Sequence, residues 1–247
     1  IGIVRQAGII KSALVLAKNE FSGKKSQGVE PRTQRDTSMK LILSLIIASL
    51  AATLVFFQFG VLGNWMQTIV ALAIVFVIAF LFTTVAANAI AIVGSNPVSG
   101  MTLMTLILSS LVLVSVGLEG ESGMIAALVI GGVVCTALSM AGGFITDLKV
   151  GYWLGTTPKK QQTWKFVGTF VSAATVAGVM IIMNETYGFT GENALVAPQA
   201  NAMAAVIQPL MMGGVTPWLL YGIGAGLILV LTLINVPALP FALGMFI

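Results

Sequence analysis

Between residues 41 and 118 the chain carries no charged side chain, and from 41 to 247 it carries only nine. An uncharged run of 78 residues leaves few architectures open. A bilayer core about 30 Å thick takes roughly 20 apolar residues per helical crossing. Within it every backbone amide must be paired, which a helix does inside its own segment. The run has room for three such helices. Of the 247 residues 57% are hydrophobic and 8% charged, against about 25% charged in a soluble domain, and mean hydropathy is +1.02. The sequence therefore predicts an integral membrane protein.

Spans are expected at 41–62, 66–93, 101–117, 124–141, 166–184 and 218–236. The fold class is all-α, a polytopic helical bundle of six to seven spans. The stretch 193–214 is apolar and long enough to cross, yet it contains Pro198, Gln199, Asn201, Gln208 and Pro209. Broken helix at membrane depth survives only beside protein or a water-filled cavity. A re-entrant or discontinuous element is the expectation there, with its sidedness open.

Eight of the twelve Lys and Arg precede Leu41, and the other four lie between Lys149 and Lys165. If each span crosses once, all twelve fall on one side, with Glu119, Glu121, Glu185 and Glu192 opposite. The positive-inside rule makes the basic side cytoplasmic, placing 1–38 and 142–165 there. The pI near 9.4 thus reports topology, and no nucleic-acid partner is expected. In 1–38, Ile3, Ala7, Ile10 and Leu14 recur at helical spacing among Arg5, Lys11 and Lys18, which suits an amphipathic surface helix. A basic flexible linker follows it, and 39–247 forms the transmembrane domain. The chain opens on Ile1 and stops within the apolar run 241–247, so a piece of a longer polytopic protein is expected.

Two Pro-centred motifs are candidates for a solute path. In Gly94-Ser-Asn96-Pro97-Val-Ser99-Gly100-Met101-Thr102, Gly94 suits a helix stop, Asn96 an N-cap and Pro97 a first helical position. A helix N-terminus there would offer free amides to a carboxylate; a tight cytoplasmic hairpin is the plainer reading. The preceding span of 28 residues is about 42 Å long at 1.5 Å per residue, so its polar positions Thr83, Thr84 and Asn88 either pass beyond the bilayer or line something wet. In the second motif, Ala197-Pro198-Gln199-Ala200-Asn201, proline frees a backbone carbonyl and the amides supply neutral donors and acceptors. These suit a zwitterionic or amide-rich solute, or hydrogen bonds to neighbouring helices. Small residues at Ser172, Ala173, Ala177 and Gly178, and at Gly222, Gly224 and Gly226, fit close helix packing.

Asp147 to Lys160, with Lys165, supplies five of the nine charges after residue 40. A solvated cytoplasmic loop accounts for it. Gly142, Gly143 and Gly155 beside Tyr152 and Trp153 keep a gate in play, with Asp147, Lys149 and Tyr152 as gate or coupling residues. No ionisable residue lies mid-span, where proton relays usually place one, so an edge acid such as Asp147 or Glu185 would have to serve. Ser99 has no basic partner, which argues against an intramembrane hydrolase. With no His and only Cys135, the sequence predicts no catalytic residues, no metal site and no cofactor.

Five segments, in order, resemble the oligopeptide transporter (OPT) family, especially its prokaryotic branch, related to yellow stripe-like carriers of metal chelates. They are Arg32-Thr-Gln-Arg35-Asp36, Ser95-Asn-Pro-Val-Ser-Gly-Met-Thr102, Asp147-Leu-Lys-Val-Gly-Tyr-Trp-Leu-Gly-Thr-Thr-Pro158, Ala197-Pro-Gln-Ala200 and Pro240-Phe-Ala-Leu-Gly-Met-Phe-Ile247. The departure is Thr37-Ser38, where relatives often have proline before the basic residue at Lys40. The resemblance implies a secondary active transporter in a bacterial inner membrane, proton-coupled and working by alternating access on small peptides or peptide-like solutes. A metal-chelate carrier is the alternative within the family, and a non-transporting scaffold subunit the alternative outside it. The expected partners are the lipid bilayer, a small peptide or metal-chelate substrate, and a proton as coupling ion. Asn88, Asn96, Ser99, Thr102, Gln199 and Asn201 are the substrate-path candidates.

Overall fold

In a computed structural model the described residues are 31–93, 98–189, 198–212 and 218–234, with positions 8, 15, 236 and 241. Among them the chain forms helices and no strand. A short 3-10 turn, Arg32–Gln34, precedes α1 (Met39–Phe56), which passes into a π-helical segment, Phe57–Leu62. There follow α2 (Trp65–Val93), α3 (Val98–Ser115), α4 (Gly120–Leu154) and α5 (Pro158–Thr186). The short α6 (Pro198–Met211) and α7 (Trp218–Leu233) complete the order. Four segments are long and apolar enough to cross a bilayer: Met39–Leu62, Trp65–Ala87, Gly120–Leu154 and Pro158–Thr186. The bundle is therefore an all-α membrane fold. The amphipathic helix expected at 3–18 and most of the closing motif lie outside the described residues.

The core is α2, α3 and α4, with α6 laid against α3 and α4. Lipid is as apolar as leucine, so such helices associate through close packing of small side chains. Ala71, Ala86, Ala126 and Ala127 are all essentially inaccessible. At Gly131 a Cβ would overlap Leu106 of α3, with the Leu106 Cγ only 3.1 Å away. At Gly123 it would lie 2.6 Å from the Leu118 carbonyl and 3.3 Å from the Met211 sulfur. The stripes around Gly178 and at Gly222, Gly224 and Gly226 behave differently from expectation, since an added Cβ at any of these glycines would meet nothing within 4 Å. Among the described residues nothing packs closely against these glycines, so the close approaches fall to Gly123, Gly131 and Gly151.

Antiparallel pairing of α4 and α5 sets the two ends of the bundle. Asp147 meets Lys165, and further along Met140 meets Thr169, whose hydroxyl lies 3.7 Å from the sulfur. Glu119 and Glu121 therefore share one end with Glu185, while Lys149, Lys159 and Lys160 share the other. Met211 touching Gly123 puts the C-terminus of α6 at the acidic end, where α5 also finishes. Fourteen residues make about 21 Å at 1.5 Å per residue, too short to cross. α6 buries Ile207 and Met211 with Met203 half-buried beside them, a spacing of four that keeps one face inward.

Candidate functional site

The charged segment at the basic end is helical, which corrects the expectation of a loop from Asp147 to Pro158. α4 runs unbroken for 35 residues to Leu154, about 52 Å at 1.5 Å per residue, so its last turns project well past a bilayer core. Gly142 and Gly143 lie inside that continuous helix and form no break; Gly143 faces the Lys165 ammonium, 3.6 Å from where its Cβ would be. Asp147, Lys149 and Tyr152 are therefore side chains on a rigid helix end. The true turn is three residues long. Gly155 takes φ +66°, its N–H donates to the Tyr152 carbonyl at 3.2 Å and the Thr156 N–H to the Gly151 carbonyl at 2.9 Å, the hydrogen-bond pair of a Schellman stop. Pro158 then opens α5 at a position where its missing N–H costs nothing.

Onto this elbow folds the linker segment 32–37, more than a hundred residues away in sequence. Arg32 donates from its guanidinium to the Gly155 carbonyl at 3.1 Å. The Lys159 N–H donates to the Arg35 carbonyl at 3.0 Å. Gln162 Oε1 accepts from the Thr37 N–H at 2.8 Å and from the Thr37 hydroxyl, and its Nε2 donates to Asp36 Oδ1 at 3.2 Å. Two sequence motifs read separately thus form one strapped junction. Gln161 and Gln162 were not singled out in the sequence. Their signal was two neutral amides in the first turn of a helix that otherwise turns apolar within five residues.

Beneath the strap, Lys165 Nζ pairs with Asp147 Oδ2 at 2.5 Å, and Gln161 Nε2 donates to the Asp147 carbonyl at 3.3 Å. The Gln161 amide lies over Gly151, where an added Cβ would displace it. Phe144, Trp164 and Gly168 join Asp147, Gln161 and Lys165 around a cleft of about 420 Å³, within the range of small-ligand sites. Lys149 lies 5.8 Å from the Trp153 ring centroid, and Tyr152 and Trp153 are exposed.

Of the solute-path candidates, Thr102 is buried on α3 and Asn201 is exposed on α6. Asn88, Ser99 and Gln199 fall on α2, α3 and α6, their side chains outside the described set, and Asn96 lies outside the described residues altogether. The structure adds hydroxyls to Thr102. Thr105 and Ser109 share its face at i, i+3 and i+7, both buried, bonding back to the carbonyls of Met101 at 2.9 Å and Leu106 at 3.1 Å. Ser110 Oγ is buried and, among the described residues, has no hydrogen-bond partner. A second polar node joins the π-segment to α2: Gln58 donates to the Gly63 carbonyl at 3.0 Å and accepts from the Thr68 hydroxyl at 2.9 Å. π-turns often sit at functional sites, and sequence reading passed over this one because Gln58 stands alone in an apolar run.

Comparison with known proteins adds independent information. The family profile described as OPT oligopeptide transporter protein matches residues 3–247. A Haemophilus influenzae protein provisionally described as an oligopeptide transporter is 29% identical over 229 aligned positions, covering 81% of this chain and 36% of that protein. The chain thus spans about a third of the length of that relative. No solved structure is significantly similar to it.

Proposed function

Since the chain belongs to the OPT oligopeptide transporter family, we propose that it forms part of a secondary active transporter carrying small peptides or peptide-like solutes across the bacterial inner membrane, driven by protons through alternating access. The observation that carries this reading is a hydroxyl-rich helix, α3, packed with a helix too short to cross, α6, inside a bundle of membrane-length helices. Buried hydroxyls beside a re-entrant element give a polar solute a route through an apolar bundle without placing charge in the hydrocarbon. Thr102, Ser99, Asn96, Asn88, Gln199 and Asn201 are assigned to that route. The basic end is assigned to the cytoplasm by the positive-inside rule.

The strapped elbow is the proposed cytoplasmic gate. Its elements are continuous helices, so opening means release of residues 32–37 from Gly155, Lys159 and Gln162. Asp147, held by Lys165 at 2.5 Å, is the acid proposed to take the coupling proton; protonation removes its negative charge and frees the lysine. Lys149 and Tyr152 stand about half a turn and about one and a half turns further along the same helix.

Uptake of a labelled tripeptide by the full-length protein tests the route. Asn96→Ala, Gln199→Ala and Thr102→Val should each lower uptake at matched surface expression, and unchanged uptake in all three removes these residues from the path. Competition by iron or nickel chelates separates a chelate carrier from a peptide carrier. Absence of any solute flux in liposomes under a proton gradient would favour a scaffold.

A further inference from the structure

The cleft between α4 and α5 sits at a defined depth. Residues 166–184 of α5 are uncharged and extend about 29 Å at 1.5 Å per residue, close to the roughly 30 Å hydrocarbon thickness. Lys165 and its partner Asp147 therefore stand where the hydrocarbon ends and headgroups begin. The pair is only half-withdrawn from solvent, with side-chain exposures of 32% and 52%. Asp147 Oδ2 pairs with the Lys165 ammonium, and among the described residues neither Asp147 Oδ1 nor the ammonium has a further hydrogen-bond partner, leaving two of the three ammonium protons for another acceptor. Asp147 and Lys165 thus line one small cleft. Beside it, Gly168 offers open space where a Cβ would sit, and Val167 and Val171, four residues apart on one flank of α5, are exposed.

We propose that this cleft binds a phospholipid whose headgroup carries both an ammonium and a phosphate, a phosphatidylethanolamine. The lipid ammonium hydrogen-bonds Asp147 Oδ1, the phosphate accepts from Lys165, Trp164 flanks the glycerol region, and an acyl chain lies past Gly168 along α5. A choline headgroup has no N–H to donate, and an anionic headgroup leaves Asp147 unmatched. The exposed apolar flank of α5 beside the charges, at Val167 and Val171, favours a lipid over a free zwitterion. The inference goes beyond the transport reading and is read on lipid retention, so it stands or falls independently of uptake.

Native mass spectrometry of the intact protein, from vesicles of equal parts ethanolamine, choline and glycerol phospholipid with matched chains, tests it. One ethanolamine lipid should be retained per chain at least fivefold over choline lipid. Gly168→Leu, which fills the cleft and keeps both charges, should abolish the preference, as should Asp147→Asn. Ten-millimolar trialanine should leave the count unchanged. Equal retention of ethanolamine and choline lipids by the unmodified protein overturns the proposal, and that comparison depends on no variant folding. So does a preference for the glycerol lipid, survival of the preference in Gly168→Leu, or displacement by trialanine.

Discussion

Gln162→Ala removes the residue on which the linker junction turns. Its side chain makes two acceptor contacts with Thr37 and one donor contact with Asp36 Oδ1. A net hydrogen bond contributes about 0.5–1.5 kcal/mol, but this site is partly exposed and water replaces some of what is lost. About 1–2 kcal/mol of docking free energy should therefore disappear. At roughly 1.4 kcal/mol per tenfold, the undocked population rises about 5–30-fold. Hydrogen exchange of the full-length protein in detergent reads this at two amides. The Thr37 amide loses its acceptor directly and must exchange faster in any case. The informative amide is Lys159, whose N–H donates to the Arg35 carbonyl and not to Gln162. If the strap docks as a unit, exchange at Lys159 accelerates by about the same factor. Acceleration at Thr37 with an unchanged Lys159 would refute the strapped junction and reduce it to independent contacts.

Three further perturbations probe packing and charge. Gly131→Ala drives a Cβ into Leu106 and should destabilise the bundle by about 1–3 kcal/mol, seen as a lower thermal midpoint in detergent; adding Leu106→Ala should restore part of it, and additive losses would contradict the contact. Thr68→Val removes the buried donor to Gln58 and should cost about 1–3 kcal/mol, with coupling to Gln58→Leu in a double-mutant cycle. Asp147→Asn breaks a half-exposed ion pair, so stability should change by no more than about 1 kcal/mol, and a larger loss would mean the pair is structurally buried in the assembled protein.

Membrane class, helical content and the segregation of charge were legible from residues alone. Seventy-eight uncharged residues admit only structures that satisfy their own backbone, and the spacing of Lys, Arg and Glu marked two opposite ends before any helix was placed. The stop and start at Gly155 and Pro158 were also local, since left-handed glycine and N1 proline are single-residue preferences. Other features depended on neighbours far along the chain. The Asp147 segment read as a loop because charge and glycine usually mark one, yet α4 continues through it; a helix end beyond the bilayer is free to carry charge, and only the antiparallel α5 shows that Gly151 meets Gln161 and Gly143 meets Lys165. Gly178 and Gly222 have the same local character as Gly131, but Leu106 stands opposite only one of them. Hydropathy and charge act on each residue where it stands, so the sequence determines them directly. Which glycine receives a knob, and which distant linker meets Gln162, are properties of pairs, and the tertiary structure alone decides them.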